Sequence, residues 1–229
     1  MNEKKIAFII CTNNEQLLDE CLTWLGFLNI PDDFEVDVLT ITDAKSMLLG
    51  MQEGRESTDA KYKVYLHQDV FILNRNFIRD ILDIFHTDNN IGMIGMAGVR
   101  AMPSDAKMWS GKYVGNIYTQ AIDPVDYSQY TYRIRNEKGE LALHDVVAVD
   151  GFLFATAYDV PLRTDLFDGW DFYDVSTSLE YKRKGYRVVV PKQEVPWCLH
   201  DDGTILSLWN YDKYRHIAMK EYTDFIDET

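Results

Sequence analysis

A polar triplet, His67, Gln68 and Asp69, interrupts an otherwise apolar stretch at residues 62–72. The stretch is rich in β-branched and aromatic residues and is typical of a central strand covered on both faces. Removing a lone carboxylate from water costs several kcal/mol unless a cation or hydrogen-bond donors meet it. Open parallel sheets bind ligands at the carboxyl ends of their strands, so Asp69 is the strongest single candidate for a functional acid. The structural alternative is that Asp69 starts a turn and caps the following helix.

Other polar residues at strand ends could complete a site with this triplet. Asp150 and Gly151 interrupt a second apolar stretch, and His200 follows a third beside two acids. Imidazole and carboxylate ligands from His67, Asp69 and His200 suit Mn²⁺ or Mg²⁺, which also bind diphosphates. A separate acid would then act as a base. A position in a surface loop is the alternative for His200.

Two acids, Asp171 and Asp174, precede a predicted helix over residues 179–185. That helix has basic residues in its last turn and a glycine at its end, which is the usual pattern of a helix C-terminus. Either acid could cap the helix N-terminus. Capping is therefore the alternative to a chemical role for both.

The elements that must position these residues begin in a β-α-β order and continue with alternating strands and helices. We predict strands at 5–11, 34–43, 62–72, 91–97, 146–155 and 186–191, helices at 17–28, 46–54, 77–85 and from about 204, and a hairpin at 132–143. The prediction is a single α/β domain, with a mostly parallel central sheet flanked by helices and a small hairpin insertion. Residues 1–100 would form one half of this domain, and residues 101–229 the other half with a C-terminal helix.

The segment at residues 101–129 lacks a clear period, and residues 109–118 mix glycine with aromatics. This composition suits a binding loop or a lid, and an ordinary long loop is the alternative. Gly92, Gly95 and Gly98 lie within a predicted strand at the wrong spacing for a dinucleotide-binding turn. No Ser-His-Asp arrangement, Walker loop or CxxC pair is present, so the motifs give no support to a nucleophilic hydrolase, a P-loop NTPase or a redox enzyme.

The composition restricts the class of partner. The net charge of −14 argues against nucleic acid and anionic membranes, because both select clustered Lys and Arg. Cys11, Cys21 and Cys198 show no metal-ligand spacing and are predicted to be reduced thiols, as in a cytoplasmic protein. The apolar run near the N-terminus is too short for a signal-peptide core or a membrane span.

These residues, in this order and spacing, resemble a family 2-type glycosyltransferase of the GT-A fold, and within it the StrF-related bacterial branch. The resemblance covers about residues 5–205. His67-Gln68-Asp69 falls on the family's Asp-x-Asp motif and so departs from it at His67, although a His-Gln-Asp triplet is itself typical of the StrF-related branch. The resemblance implies that Asp69 binds the metal and the donor diphosphate and that His200 completes the metal site.

The same resemblance implies that residues 1–100 are a nucleotide-binding half and residues 101–229 an acceptor-side half, and it implies roles for the other candidates. Residues 11–14 stand where the family's first strand ends, which places Thr12 and Asn13 with Gln68 at the donor, and Asp43 matches an acid that contacts the nucleoside. Asp174 matches the catalytic base, with Asp171 in reserve because Ser176 replaces a second acid of the branch. The residues implied to face the acceptor are Asp150, Gly151, Trp170 and Tyr173. The rings of Trp170 and Tyr173 would stack on the acceptor.

The resulting hypothesis is a cytoplasmic, inverting, metal-dependent glycosyltransferase that uses Mn²⁺ or Mg²⁺. It would transfer a sugar from a nucleotide-sugar donor, with a UDP-sugar as the first choice, to a hydroxyl of a glycan or small-molecule acceptor. Two alternatives stay open: a non-catalytic nucleotide- or carbohydrate-binding module on the same fold, and a nucleotidyltransferase. The latter usually needs a glycine-rich, basic loop after its first strand, which residues 12–16 lack.

Overall fold

The computed structural model describes residues 1–119, 124–126, 142–203 and 210–226. Two sheets, five α-helices and two short 3₁₀ helices lie within these ranges. The strands are β1 Asn2–Cys11, β2 Glu35–Ile41, β3 Ala60–His67, β4 Val70–Ile72, β5 Ile91–Gly95, β6 Ala97–Val99, β7 Tyr113–Thr119, β8 Pro124–Asp126, β9 Leu143–Asp145, β10 Ala148–Val149, β11 Leu153–Thr156, β12 Arg187–Pro191 and β13 Cys198–His200. The helices are α1 Glu15–Leu25, α2 Met47–Glu56, α3 Phe77–Thr87, α4 Tyr173–Arg183 and α5 Tyr211–Glu221.

The larger sheet has the strand order β2-β1-β3-β11-β5-β12-β9. β1 pairs in parallel with both β2 and β3, and β12 pairs in parallel with β5, whereas β11 runs antiparallel between β3 and β5 and β9 runs antiparallel at the edge. The predicted α/β fold is confirmed, with a sheet that is mixed. Strands from both predicted halves of the chain pair within it.

The smaller sheet has the order β10-β6-β7-β13-β4, with β8 beside β7. Three of the predicted long strands break where the chain passes from one sheet to the other, so each is two strands: β3 and β4, β5 and β6, and β10 and β11. The predicted loop or lid at 109–118 instead contributes β7 to this sheet. Sequence periodicity missed β7 because Gly115 stands inside it at φ +123°, and a Cβ there would lie 2.4 Å from the main-chain oxygen of Met96.

Helices cover both faces of the larger sheet. α1 is capped by Asn14, whose side-chain oxygen accepts hydrogen bonds from the main-chain N–H groups of Gln16 and Leu17. The apolar stripe of α3 packs in one core with the even-numbered residues of β3, which are Tyr62, Val64 and Leu66, and α4 and α5 pack in a second core on the other face. The predicted doubly wound arrangement follows from burying these two apolar faces.

Some predicted boundaries differ from the structure. α4 starts at Tyr173, well before residue 179, because the polar residues Ser176, Thr177 and Ser178 are buried in its first two turns. The C-terminal helix starts at Tyr211, and residues 204–209 lie outside the described ranges, as does most of the predicted hairpin. Within the described residues no helix is long and apolar enough to span a bilayer.

Candidate active site

Three side chains that are distant in sequence meet where the two sheets separate. Nδ1 of His67 lies 3.8 Å from Oδ1 of Asp69, and Nε2 of His200 lies 3.5 Å from the same oxygen. One ligand atom from each residue falls within 4.8 Å of the others. The structure therefore brings together the three residues predicted to bind a metal.

Strand pairing explains why these residues meet. β3 ends at His67, which lies beside Cys11 at the end of β1, and the chain resumes as β4 at Val70 in the other sheet. His200, at the end of β13, pairs with Val70. Only Gln68 and Asp69 connect the two sheets here, so Asp69 lies in the gap between His67 and His200.

Asp69 has the surroundings of a cation ligand. Its Oδ1 atom is buried and accepts no hydrogen bond from the described part of the chain. The side chains of His67, Asp69 and His200 keep 29%, 21% and 16% of their surface exposed, so a small ligand can reach them. Asp69 makes no cap of α3, which starts after Asn76. An unsatisfied carboxylate oxygen beside two imidazoles fits a divalent cation such as Mn²⁺.

The pKa shifts of two residues in the cluster, His67 and Asp69, agree with that fit. Burial, helped by the neighbouring His200, lowers the pKa of His67 to about 4, so its imidazole is neutral near pH 7. Burial acts to raise the pKa of Asp69, but the adjacent His200 and His67 outweigh it and the pKa is lowered. Burial likewise acts to lower the pKa of His200, and the Asp69 carboxylate reverses the shift, so the pKa is raised.

The side chain of Tyr173, at the start of α4, contacts His67 of this cluster. Its hydroxyl oxygen lies 2.5 Å from Nε2 of His67. Only 6% of Tyr173 is exposed, so its ring offers no free face to an acceptor. The prediction that Tyr173 stacks on the acceptor is wrong, because the fold turns this side chain inward beneath Gly151.

Asp174 and Asp150 form a pair of acids next to the cluster. Asp150 lies in the turn between β10 and β11 and accepts a hydrogen bond of 2.6 Å from the hydroxyl of Tyr113 on β7. Asp174 lies in the first turn of α4, where its Oδ1 accepts a hydrogen bond of 2.8 Å from the main-chain N–H of Val175. Burial, followed by the charge of Asp150, raises the pKa of Asp174 to about 7.

Aromatic side chains continue from this pair toward the surface. The rings of Phe172 and Tyr211 have centroids 4.8 Å apart, and those of Tyr211 and Trp109 are also 4.8 Å apart. Trp109 is 55% exposed. Burial, with the charge of Asp174 next, raises the pKa of Tyr211, which places this aromatic row beside the acid. Burial alone raises the pKa of Asp171.

A cleft with an empty volume of about 630 Å³ opens on the other side of the cluster. Its walls include five of the six predicted donor-side residues and one residue predicted on the acceptor side, Trp170, which is 53% exposed. The lining residues important here are Thr12, Asn13, Thr42, His67, Asp69 and Trp170. Trp170 reaches this wall because it precedes α4, beside α2, where the main-chain N–H of Met47 donates to the carbonyl oxygen of Gly169.

Gln68 has a positional role in the wall of this cleft. Its Oε1 accepts hydrogen bonds from the Thr12 hydroxyl at 2.6 Å and from the main-chain N–H groups of Asn13 and Asn14 at 2.9 Å each. Its Nε2 donates to Oδ1 of Asn13 at 2.8 Å. The amide group predicted to bind the donor is thus engaged in holding the turn between β1 and α1.

Asp43 lies outside the cleft. β2 ends at Ile41, so Asp43 is exposed beyond the strand and lines a separate hollow with Lys45 and Glu53. The predicted strand extended two residues further, which would have placed the acid at the sheet edge.

Sequence reasoning also missed Tyr113, whose hydroxyl donates to Asp150. The run of β-branched and aromatic residues around Tyr113 was the available signal of a strand.

Comparison with known proteins identifies the family and agrees with this fold. The family model described as "Glycosyltransferase like family" matches residues 7–222, whereas no curated protein sequence matches the chain. A crystal structure of GalNAc-T7 with UDP, GalNAc and Mn²⁺ aligns with 97% of this chain at a TM-score of 0.60 and 12% identity. A crystal structure of S. aureus TarS aligns with 95% at a TM-score of 0.55 and 10% identity.

This chain covers 49% of the GalNAc-T7 structure and 39% of the TarS structure, so it spans about half of their length or less. At these identities the likeness shows the fold alone, which is that of the GT-A glycosyltransferases. The family model, in contrast, matches nearly the whole sequence. The chain therefore belongs to the glycosyltransferase-like family that this model describes.

Proposed function

We propose that the protein is a metal-dependent, inverting glycosyltransferase that transfers a sugar from a nucleoside-diphosphate sugar to an acceptor hydroxyl. The observation that carries the proposal is the cluster of His67, Asp69 and His200, which has an unsatisfied carboxylate oxygen and two members, His67 and Asp69, in the lining of a cleft. GalNAc-T7, which shares the fold, was crystallised with UDP and Mn²⁺. A UDP-sugar donor and a cytoplasmic location are the first choices, as is membership of the StrF-related branch.

The cleft accounts for donor binding. Trp170 and Thr42 line the cleft and suit a nucleoside, and His67 and Asp69 of the metal cluster line the same cleft. When bound to these three residues, Mn²⁺ or Mg²⁺ would neutralise charge on the donor diphosphate as it leaves. The main-chain N–H groups of Asn13 and Asn14 are already engaged by Gln68. The turn after β1 therefore lacks the free amides with which a nucleotidyltransferase would hold a triphosphate.

Asp174 is the proposed general base. An alcohol is a poor nucleophile near neutral pH, so a carboxylate that accepts the acceptor's hydroxyl proton as its oxygen attacks the anomeric carbon assists the reaction. A pKa of about 7 matches that task, because the carboxylate is basic enough to take the proton and is still largely ionised slightly above neutrality. Attack from the side opposite the diphosphate inverts the anomeric configuration.

The acceptor is proposed to lie against Trp109 and Tyr211. This row begins at Phe172, two residues before Asp174, and ends in an exposed indole ring. Aromatic faces bind the apolar faces of sugar rings, and a glycan or a small ring-bearing alcohol fits such a surface. Asp150, held by Tyr113, lies on the same side of the metal cluster as Asp174.

Calorimetric titration of UDP, GDP and their sugar derivatives, with and without Mn²⁺, tests the proposal. We expect one nucleoside diphosphate to bind, with an affinity at least tenfold higher when Mn²⁺ is present. A matching sugar donor should then yield a glycoside whose anomeric configuration, read by NMR, is inverted. Absence of binding by every diphosphate in both conditions contradicts the proposal, and a retained configuration contradicts its stereochemical part.

A further inference from the structure

Tyr173 connects the metal ligands to the helix that carries the proposed base. Its hydroxyl oxygen lies 2.5 Å from Nε2 of His67, whereas the other ring nitrogen, Nδ1, faces Oδ1 of Asp69 at 3.8 Å. The tyrosine thus occupies the ring nitrogen that points away from the ligand cluster. It leaves Nδ1 directed at the position where a cation would bind.

Gly151 is what allows the tyrosine to approach. A Cβ atom at position 151 would lie 2.1 Å from the Tyr173 hydroxyl oxygen and 2.4 Å from the ring carbon that bears it. The main chain is fixed here, because the N–H group of His67 donates to the carbonyl oxygen of Phe152 at 3.0 Å. Any residue larger than glycine would therefore push the hydroxyl group away from His67.

The chemistry of imidazole gives this contact a consequence. A histidine binds a cation through an unprotonated nitrogen. With Nδ1 toward the cluster, neutral His67 carries its proton on Nε2 and donates it in a hydrogen bond to the Tyr173 oxygen. An acceptor on the remote nitrogen fixes the tautomer and the ring orientation and makes the ligand nitrogen more basic.

We propose that Tyr173 is a positioning residue for the metal site, which sets the tautomer and orientation of His67 and couples cation affinity to the first turn of α4. The inference rests on the proposed function in that it takes His67 as a metal ligand. Asp174 is the next residue on the same turn. The residues that bind the donor and the residue that activates the acceptor would then share one rigid connection.

The test is Mn²⁺ binding without nucleotide or turnover, followed by the electron paramagnetic resonance signal of free Mn²⁺. Tyr173→Phe removes one oxygen and keeps the buried ring, and we expect it to weaken Mn²⁺ binding by about 10- to 100-fold. Tyr181→Phe is the matched control: Tyr181 is also buried on α4, and its hydroxyl donates to the carbonyl oxygen of Tyr158, away from the cluster. We expect it to bind Mn²⁺ like the parent protein.

Three results would overturn the inference. Equal Mn²⁺ affinity in Tyr173→Phe and the parent protein excludes a role for the hydroxyl group, and equal weakening in both tyrosine variants indicates a general loosening of α4. A parent protein that binds no Mn²⁺ contradicts the metal part of the proposed function as well, whereas the first two results leave it standing. Gly151→Ala, which displaces the hydroxyl without removing it, should weaken Mn²⁺ binding in the same direction as Tyr173→Phe.

Discussion

Asp174 combines two properties at the scale of a single residue: a carboxylate in the first turn of α4 and a pKa raised to about 7. We predict that Asp174→Asn lowers kcat by roughly 10² to 10⁴, because general-base assistance is commonly worth that much. The Kd for the nucleoside diphosphate, measured by calorimetry, should change little. Asp171→Asn is the control and should keep most of the activity. Parental turnover in Asp174→Asn would identify the residue as a helix cap only.

The raised pKa of Asp174 also predicts opposite pH effects on activity and stability. Activity should rise with pH through about 7, as the base loses its proton. Because the folded pKa is higher than the unfolded one, the stability contributed by protonated Asp174 is present at low pH and lost as the pH rises to about 7. Asp174→Asn should therefore melt at a higher temperature than the parent at pH 8 and at a similar temperature near pH 4. The charge of Asp150, which faces Asp174, helps burial to keep this pKa raised.

At the scale of elements, two tryptophans of nearly equal exposure lie in different surroundings. Trp170, which precedes α4, lines the cleft, and the ring of Trp109 packs at a tilt against Tyr211 of α5. A stacked ring contributes about 1 kcal/mol beyond its buried area. We predict that Trp170→Ala weakens nucleotide binding about fivefold, with little change in acceptor KM, and that Trp109→Ala raises acceptor KM with little change in nucleotide Kd. The same effect of both substitutions on both constants would contradict this assignment of sides.

The turn between β1 and α1 depends on Gln68, a residue of another element. Four hydrogen bonds join its amide to Thr12, Asn13 and Asn14. Each of these hydrogen bonds contributes about 1 kcal/mol to the free energy of unfolding, and their loss would leave this part of the cleft wall mobile. We therefore predict that Gln68→Ala weakens nucleoside diphosphate binding by about tenfold. Gln52→Ala, a control on α2 outside the cleft, should leave binding unchanged. Unchanged binding in Gln68→Ala would show that this turn does not contact the donor.

The sequence predicts elements better than it predicts which face of them is buried. Periodicity identified most strands and helices, and the cost of an isolated carboxylate identified Asp69. It could not show that Tyr173 points inward, because that orientation depends on the absence of a side chain at Gly151. The same limit applies to Gln68, whose partners lie on a turn that becomes its neighbour only when β1 pairs with β3.

At the scale of the whole molecule, ligand binding should stabilise the fold. A nucleoside diphosphate with Mn²⁺ at about 100 times its Kd adds about 2.7 kcal/mol, which raises the Tm of a chain of this size by roughly 5 to 10 °C. We predict that Asp69→Asn removes the part of this rise that depends on Mn²⁺, and that His200→Ala reduces it by less, because the carboxylate stays in place. Differential scanning fluorimetry with and without Mn²⁺ measures both, and an unchanged metal dependence in both variants would contradict the site.

The two-residue turn between β3 and β4 has a consequence for the kinds of change that the chain tolerates. His67 lies beside Cys11 on one side of the turn, and Val70 pairs with His200 on the other. Replacing Gln68 or Asp69 changes one side chain, whereas inserting or deleting a residue would slip β4 against β13 and reverse the facing of its buried side chains. We therefore expect relatives to keep the length of this segment.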